Sequence, residues 1–518
     1  MAIITSPLAP VPLTGLTITE RLFEGLEPRR DEVVLVEGPT GREIKAGALI
    51  DAIRRLAGGL TARGHGKGAV TALMAPNMPD FVTVFHGAAF AGGTITTVNP
   101  TYTAEELAHQ LKDSGATLLI TIPPFLDVAR KGAEGTAVTE IVVIGEAEGA
   151  TPLAALMGAP QDAQTPVDVL RDTVVLPYSS GTTGLPKGVM LSHRNLVVNV
   201  DQVIAGGGMR PGDWNVAFLP FFHIYGMTVQ MNAVLGNGGQ VVTMPRFDLE
   251  MFLRLLQDYR AREVYLVPPV AVALAKHPMV DEFDLSALET LFSGAAPLGG
   301  DVADAAGKRL GARAIQGWGM TELSPVATLT GPERAKSGSV GVAAPNTELR
   351  VVDPETGADL GTDEQGELWV RGPQVMLGYL ANPEATTATL TGDGWLKTGD
   401  LASIDADGFV TIHDRLKELI KVKGFAVAPA EIEAVLLAHP EVDDAAVTGM
   451  QDEEAGERPV AHVILKPGAT ANEDVLKAHV LEHLSHYKAL GAVHFVEAIP
   501  KSASGKILRR LLRAPVPA

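Results

Sequence analysis

The eleven residues from Tyr178 to Gly188, YSSGTTGLPKG, constrain this chain more than any other stretch. They carry four aliphatic hydroxyl side chains (Ser179, Ser180, Thr182, Thr183), the glycines Gly181, Gly184 and Gly188, and one ammonium group, Lys187. The apolar run 174–176 before them reads as a buried strand. Glycines let a backbone approach a ligand and turn its N–H groups inward. Hydroxyls and an ammonium add donors for phosphate oxygens, which only accept. The stretch reads as a loop that holds polyphosphate. It is not the common nucleotide loop, which needs Gly-Lys followed by Ser or Thr at a helix start. Here Pro186 precedes Lys187 and Gly188 follows it. A flexible linker would share this composition, but it would not need the strand flank, the Pro-Lys pair or the apolar 189–191 that follows.

At 518 residues the chain exceeds one core, and two or three domains are expected. Apolar residues make up 46% and the formal charge is −19, which fits a globular α/β protein and excludes a basic nucleic-acid-binding face. Cysteine is absent, which removes disulfides, thiolate catalysis and Cys-metal sites. The opening MAIITSPLAPVPL has neither a basic start nor a long apolar core. Neither a signal peptide nor a membrane span is therefore expected, and a cytoplasmic setting is.

Helical spacing of Leu49, Ile53, Leu56 and Leu60 predicts a helix over 46–63. Strands are expected at 70–74, 94–98 and 117–121, with helices at 80–91 and 105–114 between them. That alternation implies parallel sheets wound with helices, which hold ligands at the carboxyl ends of their strands. Near the C-terminus, helices are expected at 430–438 and 472–484, and strands at 445–448 and 460–465. The segment 405–408, DADG, reads as a hairpin turn.

Several further segments carry chemistry. In Gly317-Trp318-Gly319-Met320-Thr321-Glu322 a ring between glycines can lie flat on a purine. Thr321 offers a hydroxyl to phosphate, and Glu322 a hard oxygen ligand for Mg²⁺. Asp400, in Thr398-Gly399-Asp400, suits a ribose, because one carboxylate accepts from both hydroxyls. Aromatics surround His223 in LPFFHIYG (219–226), either as a satisfied core histidine or as a pocket wall. At Gly294, Ala295 and Ala296, small residues end a strand, for close packing or for a flat ligand. The 413–424 run alternates apolar and charged residues, as a solvated strand edge also would. Finally, PKSASGKILRR (500–510) presents Lys506 beside Ser504 and Gly505.

Together and in order, these segments resemble the adenylate-forming superfamily of acyl- and aryl-CoA ligases, luciferases and adenylation domains. Within it, 4-coumarate-CoA ligase-like enzymes are the nearest resemblance, through LPFFHIYG and KGFxVAPAE. The resemblance implies a large N-terminal domain, residues 1–414, of helix-wound parallel sheets with a β-barrel-like subdomain. A small mobile α+β domain, 415–518, would follow, with Lys417 at the hinge. It implies ATP and Mg²⁺ held by residues 179–184 and 187, 294–296 and 317–322, with Asp400 and Arg415 at the ribose and Glu322 on the metal. His223, Tyr225, Gly294, Gly317, Pro325 and Val326 would border the acid. Lys506, with Thr321, Glu322 and His223, would drive formation of an acyl-adenylate. Lys421 would serve thioester formation with coenzyme A.

The implied activity is an ATP-dependent carboxylic acid–CoA ligase acting on an aryl or cinnamate-type acid, as a monomer or homodimer. A medium-chain fatty acid stays open as substrate. Two departures stand out. The family usually has Tyr where Trp318 stands, so stacking is kept while any phenolic hydrogen bond is lost. Ala426 replaces the glutamine of KGFQVAPAE that the family ties to thiol capture, so an amine or a carrier protein stays open as acceptor.

Overall fold

The structure, a computed structural model, describes residues 3–179, 186–296, 298–331, 334–423, 425–452, 455–502 and 505–512, with the backbone alone at Ala426. The expected site residues Ser180, Gly181, Thr182, Thr183 and Gly184, and Ser504 beside the C-terminal lysine, lie outside the described residues.

Alternation of strand and helix yields an eight-stranded sheet at the centre of the large unit. Strands Val70–Met74, Thr94–Thr97, Leu118–Thr121, Glu140–Val143 and Thr173–Ser179 run parallel within it. Helices Ala46–Ala62, Pro79–Phe90 and Ala104–Ser114 stand where their apolar spacing predicts, within one or two residues at each end. Thr103 and Glu106 form a reciprocal capping box that fixes where the last of these begins. A mixed four-stranded sheet and a three-stranded parallel sheet, Glu263–Leu266, Thr290–Ser293 and Arg313–Gln316, complete the α/β body. An antiparallel five-stranded sheet supplies the barrel-like part, and Leu396–Ile404 and Val410–Arg415 form its hairpin across Asp405–Gly408.

One feature departs from simple winding. The strand Thr173–Ser179 turns back into Lys187–Ser192 as an antiparallel hairpin, with Ser179 paired to Lys187. The strands on either side of the hydroxyl-rich stretch are thus antiparallel neighbours near the sheet's edge, with only Gly378–Tyr379 beyond them.

Three apolar cores are present among the described residues, a small one from Ala72 to Ala129 under the helix Ala104–Ser114 and two larger ones that divide the chain. Of the larger two, one runs from Ile18 to Val410, and the second from Ile420 to Val493. The second packs helices Pro429–Ala438 and Glu473–His483 on a sheet of Val442–Asp452, Gly456–Leu465 and shorter strands. Among the described residues no helix is long and apolar enough to cross a membrane.

Candidate active site

The hairpin ends carry the first cluster. Ser179 Oγ donates to Glu322 Oε1 at 3.2 Å, and Tyr379 OH donates to the same oxygen at 2.8 Å. Glu322 is only 5% exposed, and its Oε2 accepts no hydrogen bond among the described residues. Lys187 Nζ stands 5.1 Å from the centre of the Tyr379 ring, within cation–π range. Tyr379 is a participant the sequence did not announce. It lies on the two-residue strand Gly378–Tyr379, which pairs with Val189 and Met190, so only tertiary pairing brings it here.

A second cluster surrounds Asp400, which is 2% exposed. Trp318 Nε1 donates to Asp400 Oδ2 at 2.9 Å, and Arg415 Nε stands 2.7 Å from Oδ1. The latter is an ion pair without hydrogen-bond alignment, so among the described residues Oδ1 has no hydrogen-bond donor. Burial pushes the Asp400 carboxyl up, while Arg415, Trp318 and Lys506 oppose that shift. Where a phenol would have been expected, the indole N–H ties the ring to Asp400. The lost phenolic bond is therefore replaced by a different one.

Lys506 reaches this cluster from the small unit. The loop before it closes through Lys506 N–H donating to Ser502 Oγ and through Lys501 bridging Ile507. Arg509 anchors it, with Nη2 at 2.8 Å from both Glu433 oxygens and Nε donating to the Val447 carbonyl. Gly505, at φ +78°, sits where an added Cβ would touch Val267 and Pro269 at 3.4–3.5 Å. A side chain there would be strained by the left-handed backbone. The lysine is therefore docked against the large unit. Burial and the nearby Arg415 lower the Lys506 ammonium to about 8, with Asp400 and Glu418 pulling the other way.

The acid-pocket residues converge separately. Burial, with the Lys506 charge beside it, lowers His223 to about 4, so the imidazole is neutral at pH 7. Its Nδ1 accepts from Tyr225 N–H at 3.2 Å, which leaves the proton on Nε2. Tyr225 OH donates to the Phe292 carbonyl at 3.4 Å. The space beside Gly294 is taken by the Tyr225 ring, 3.2 Å from where a Cβ would stand, and that beside Gly317 by Phe292 at 2.6 Å. At these two glycines the room serves close packing of aromatic rings, while Ala296 is half-buried and Ala295 exposed. Ser324–Pro325–Val326 is fixed by Val326 N–H to Asn199 Oδ1 and by Met320 N–H to the Pro325 carbonyl.

Two expected residues stand apart. Lys417 is exposed in the turn after Arg415. Lys421 is exposed on the strand Ile420–Val422, where its backbone N–H donates to Glu457.

The family model for AMP-binding enzymes matches residues 23–380, and that for the AMP-binding enzyme C-terminal domain matches 431–506. The chain belongs to the AMP-binding enzyme family. This enzyme is 42% identical to 4-coumarate–CoA ligase 5 of Oryza sativa subsp. japonica over 515 residues, 97% of this chain and 95% of that one. The expected kinship with adenylate-forming, 4-coumarate-CoA ligase-like proteins is thereby borne out. Among solved structures it superposes on the anthranilate CoA ligase AuaEII in complex with anthranoyl-AMP. That match has TM-score 0.89 and 27% identity, and covers 97% of each chain. The amide bond synthetase McbA from Marinactinospora thermotolerans matches with TM-score 0.86 and 28% identity, over 97% of this enzyme and 99% of that chain.

Proposed function

We propose that this enzyme activates a carboxylic acid with ATP and passes the acyl group to coenzyme A, with an aryl or cinnamate-type acid as substrate. The observation that carries the reading is the docked Lys506. It stands beside the Trp318–Asp400–Arg415 cluster, in a molecule where Ser179, at the end of its strand, meets Glu322.

In this reading the substrate's carboxylate oxygen attacks the α-phosphorus of ATP, and the bond to the β-phosphate oxygen breaks. Pyrophosphate leaves with the electron pair. Two anions must meet, so the residues act mainly by neutralising and aligning charge. Lys187, Ser179 and Thr321 face the phosphates, and Lys506 faces the oxygens whose charge is rearranged. Asp400 Oδ1, buried without a donor, accepts from a ribose hydroxyl, and the Trp318 ring lies against the purine. Neutral His223 donates from Nε2 toward the acid. Coenzyme A then attacks the acyl carbon through sulfur, the carbon–oxygen bond to the phosphate breaks, and AMP leaves. The thiol proton is released.

The free Oε2 of Glu322, in a buried carboxylate already oriented by two hydroxyl donors, fits a magnesium ligand. Magnesium there would offset phosphate charge. For the second step we place Lys421 at the site after a rotation of residues 415–518 about Lys417, a hinge movement in the ordinary sense.

Ala426 favours one alternative, capture of the adenylate by an amine, since a methyl group cannot hydrogen-bond. The test is pyrophosphate release across aryl, cinnamyl and medium-chain fatty acids, with and without CoA or simple amines. Acid-dependent release followed by CoA consumption supports the ligase. Amide without thioester supports the alternative, and no acid-dependent release overturns both.

A further inference from the structure

The helix Glu473–His483 of the small unit ends in the run His479-Val480-Leu481-Glu482-His483. Asn472 caps its start by accepting from Val475 N–H at 3.0 Å, while Leu476 and Val480 turn inward to the second core. A helix brings residues three and four apart onto one face. His479, Glu482 and His483 therefore stand side by side, and a ligating atom of each lies within 4.8 Å of the others. His479 is half-buried, whereas Glu482 and His483 are exposed.

Backbone carbonyls fix the tautomer of both imidazoles. His479 Nε2 donates to the Val435 carbonyl at 3.1 Å, across to the helix Pro429–Ala438. That carbonyl lies in the helix's last turn, which is short of intrahelical donors. His483 Nδ1 donates to the His479 carbonyl at 2.8 Å. Each ring so keeps a lone pair on its other nitrogen, Nδ1 of His479 and Nε2 of His483. A metal-bound imidazole has this same support, in which a carbonyl takes the second N–H, orients the ring and raises its basicity.

Capping of the neighbouring helix would account for His479 alone. It does not account for Glu482, which has neither an ion pair nor a hydrogen bond from its carboxylate among the described residues. His439 stands edge-on to His479 with ring centres 5.0 Å apart, but its Nδ1 already accepts from Glu441 N–H at 3.2 Å. It walls the cluster without joining it.

We propose that His479, Glu482 and His483 form a binding site for a divalent transition-metal ion of the zinc, nickel and copper class, on the outer face of the small unit. Two imidazoles with one carboxylate are a zinc donor set that leaves a fourth position to water. Imidazole nitrogens suit these ions, whereas Mg²⁺ demands oxygen ligands, so the site is distinct in kind from the carboxylate of Glu322. Both rings are already in the neutral tautomer that ligates. A bound ion bridges two successive turns and ties the end of this helix, through His479, to Pro429–Ala438. Its work is structural, and the inference does not rest on the ligase reading.

The experiment titrates Zn²⁺ into metal-stripped, full-length enzyme by calorimetry without ATP, with Mg²⁺ as the comparison ion. Wild type, His483→Ala and Glu482→Gln are compared, since both positions are exposed, and His479 is left in place because it caps the adjoining helix. Wild type should bind zinc in the presence of excess Mg²⁺. His483→Ala should weaken that binding by about 10- to 100-fold, at least what losing an outer-shell partner costs, and Glu482→Gln should weaken it less. Co²⁺ in place of zinc should give wild type the visible absorption of a four-coordinate site, and His483→Ala should lose it. Absence of zinc binding in wild type, binding of equal strength in both variants, or displacement of zinc by Mg²⁺ at equal concentration overturns the proposal.

Discussion

Lys506 and Lys421 belong to one small α+β unit, yet they meet the rest of the molecule differently. Lys506 is half-buried, its neighbour Gly505 lies against Val267 and Pro269, and its charge is felt at His223 and Asp400. Lys421 is exposed, on a hairpin edge whose Phe425 is also exposed and stacks on Tyr487 of the same unit. Such an exposed aromatic is poor use of apolar surface for a finished interface. The contrast teaches that this arrangement serves one step. In the proposed reading it is the adenylating one, and the other face waits for rotation.

The largest test of that contrast is Lys506→Ala. It should slow pyrophosphate release by roughly 10²–10³, the scale of losing one donor to developing charge. Transfer from pre-formed acyl-adenylate to CoA should be essentially unchanged. Lys421→Ala should do the reverse, slowing transfer by about 10- to 100-fold, the worth of one charge-assisted hydrogen bond, while pyrophosphate release stands. Pre-steady-state assays of each half-reaction separate the two, and equal damage to both steps in either variant would erase the distinction.

Next in size is the pH effect. Lys506 is cationic below about 8 and loses its charge as pH rises through that value. The kcat/KM for ATP should therefore fall above pH 8, by about tenfold at pH 9, because this ratio reports ionisations of the free enzyme. Transfer from the adenylate should lack that limb. Smallest is Trp318→Phe, which keeps a ring but removes the donor to Asp400. It should raise KM for ATP about fivefold, the worth of one ordinary hydrogen bond.

Much of this was legible from residue order. Spacing of Leu49, Ile53, Leu56 and Leu60 placed a helix nearly to its ends, and the alternation of strand and helix foretold the parallel sheet. Trp318, Asp400 and Arg415 were each singled out separately, and the fold brings them within bonding distance. Tyr379 was not legible, because a two-residue strand has no periodicity and its role comes from pairing with Val189 and Met190. The hairpin was missed because the glycine-rich stretch hid an antiparallel return. The small residues at 294 and 317 were read as possible room for a ligand, whereas Tyr225 and Phe292 already pack against them.

The most direct test uses the absence of native cysteine. Val267→Cys with Gly505→Cys places two thiols where Gly505 already meets Val267, within the reach of a disulfide. Because the left-handed backbone strains any side chain at 505, the reduced form of the same variant is the reference for every rate. Oxidised in a single turnover, this variant should release pyrophosphate and retain acyl-adenylate without forming thioester, and reduction should restore thioester formation. Thioester produced at the reduced-state rate while the disulfide stays closed would contradict the account.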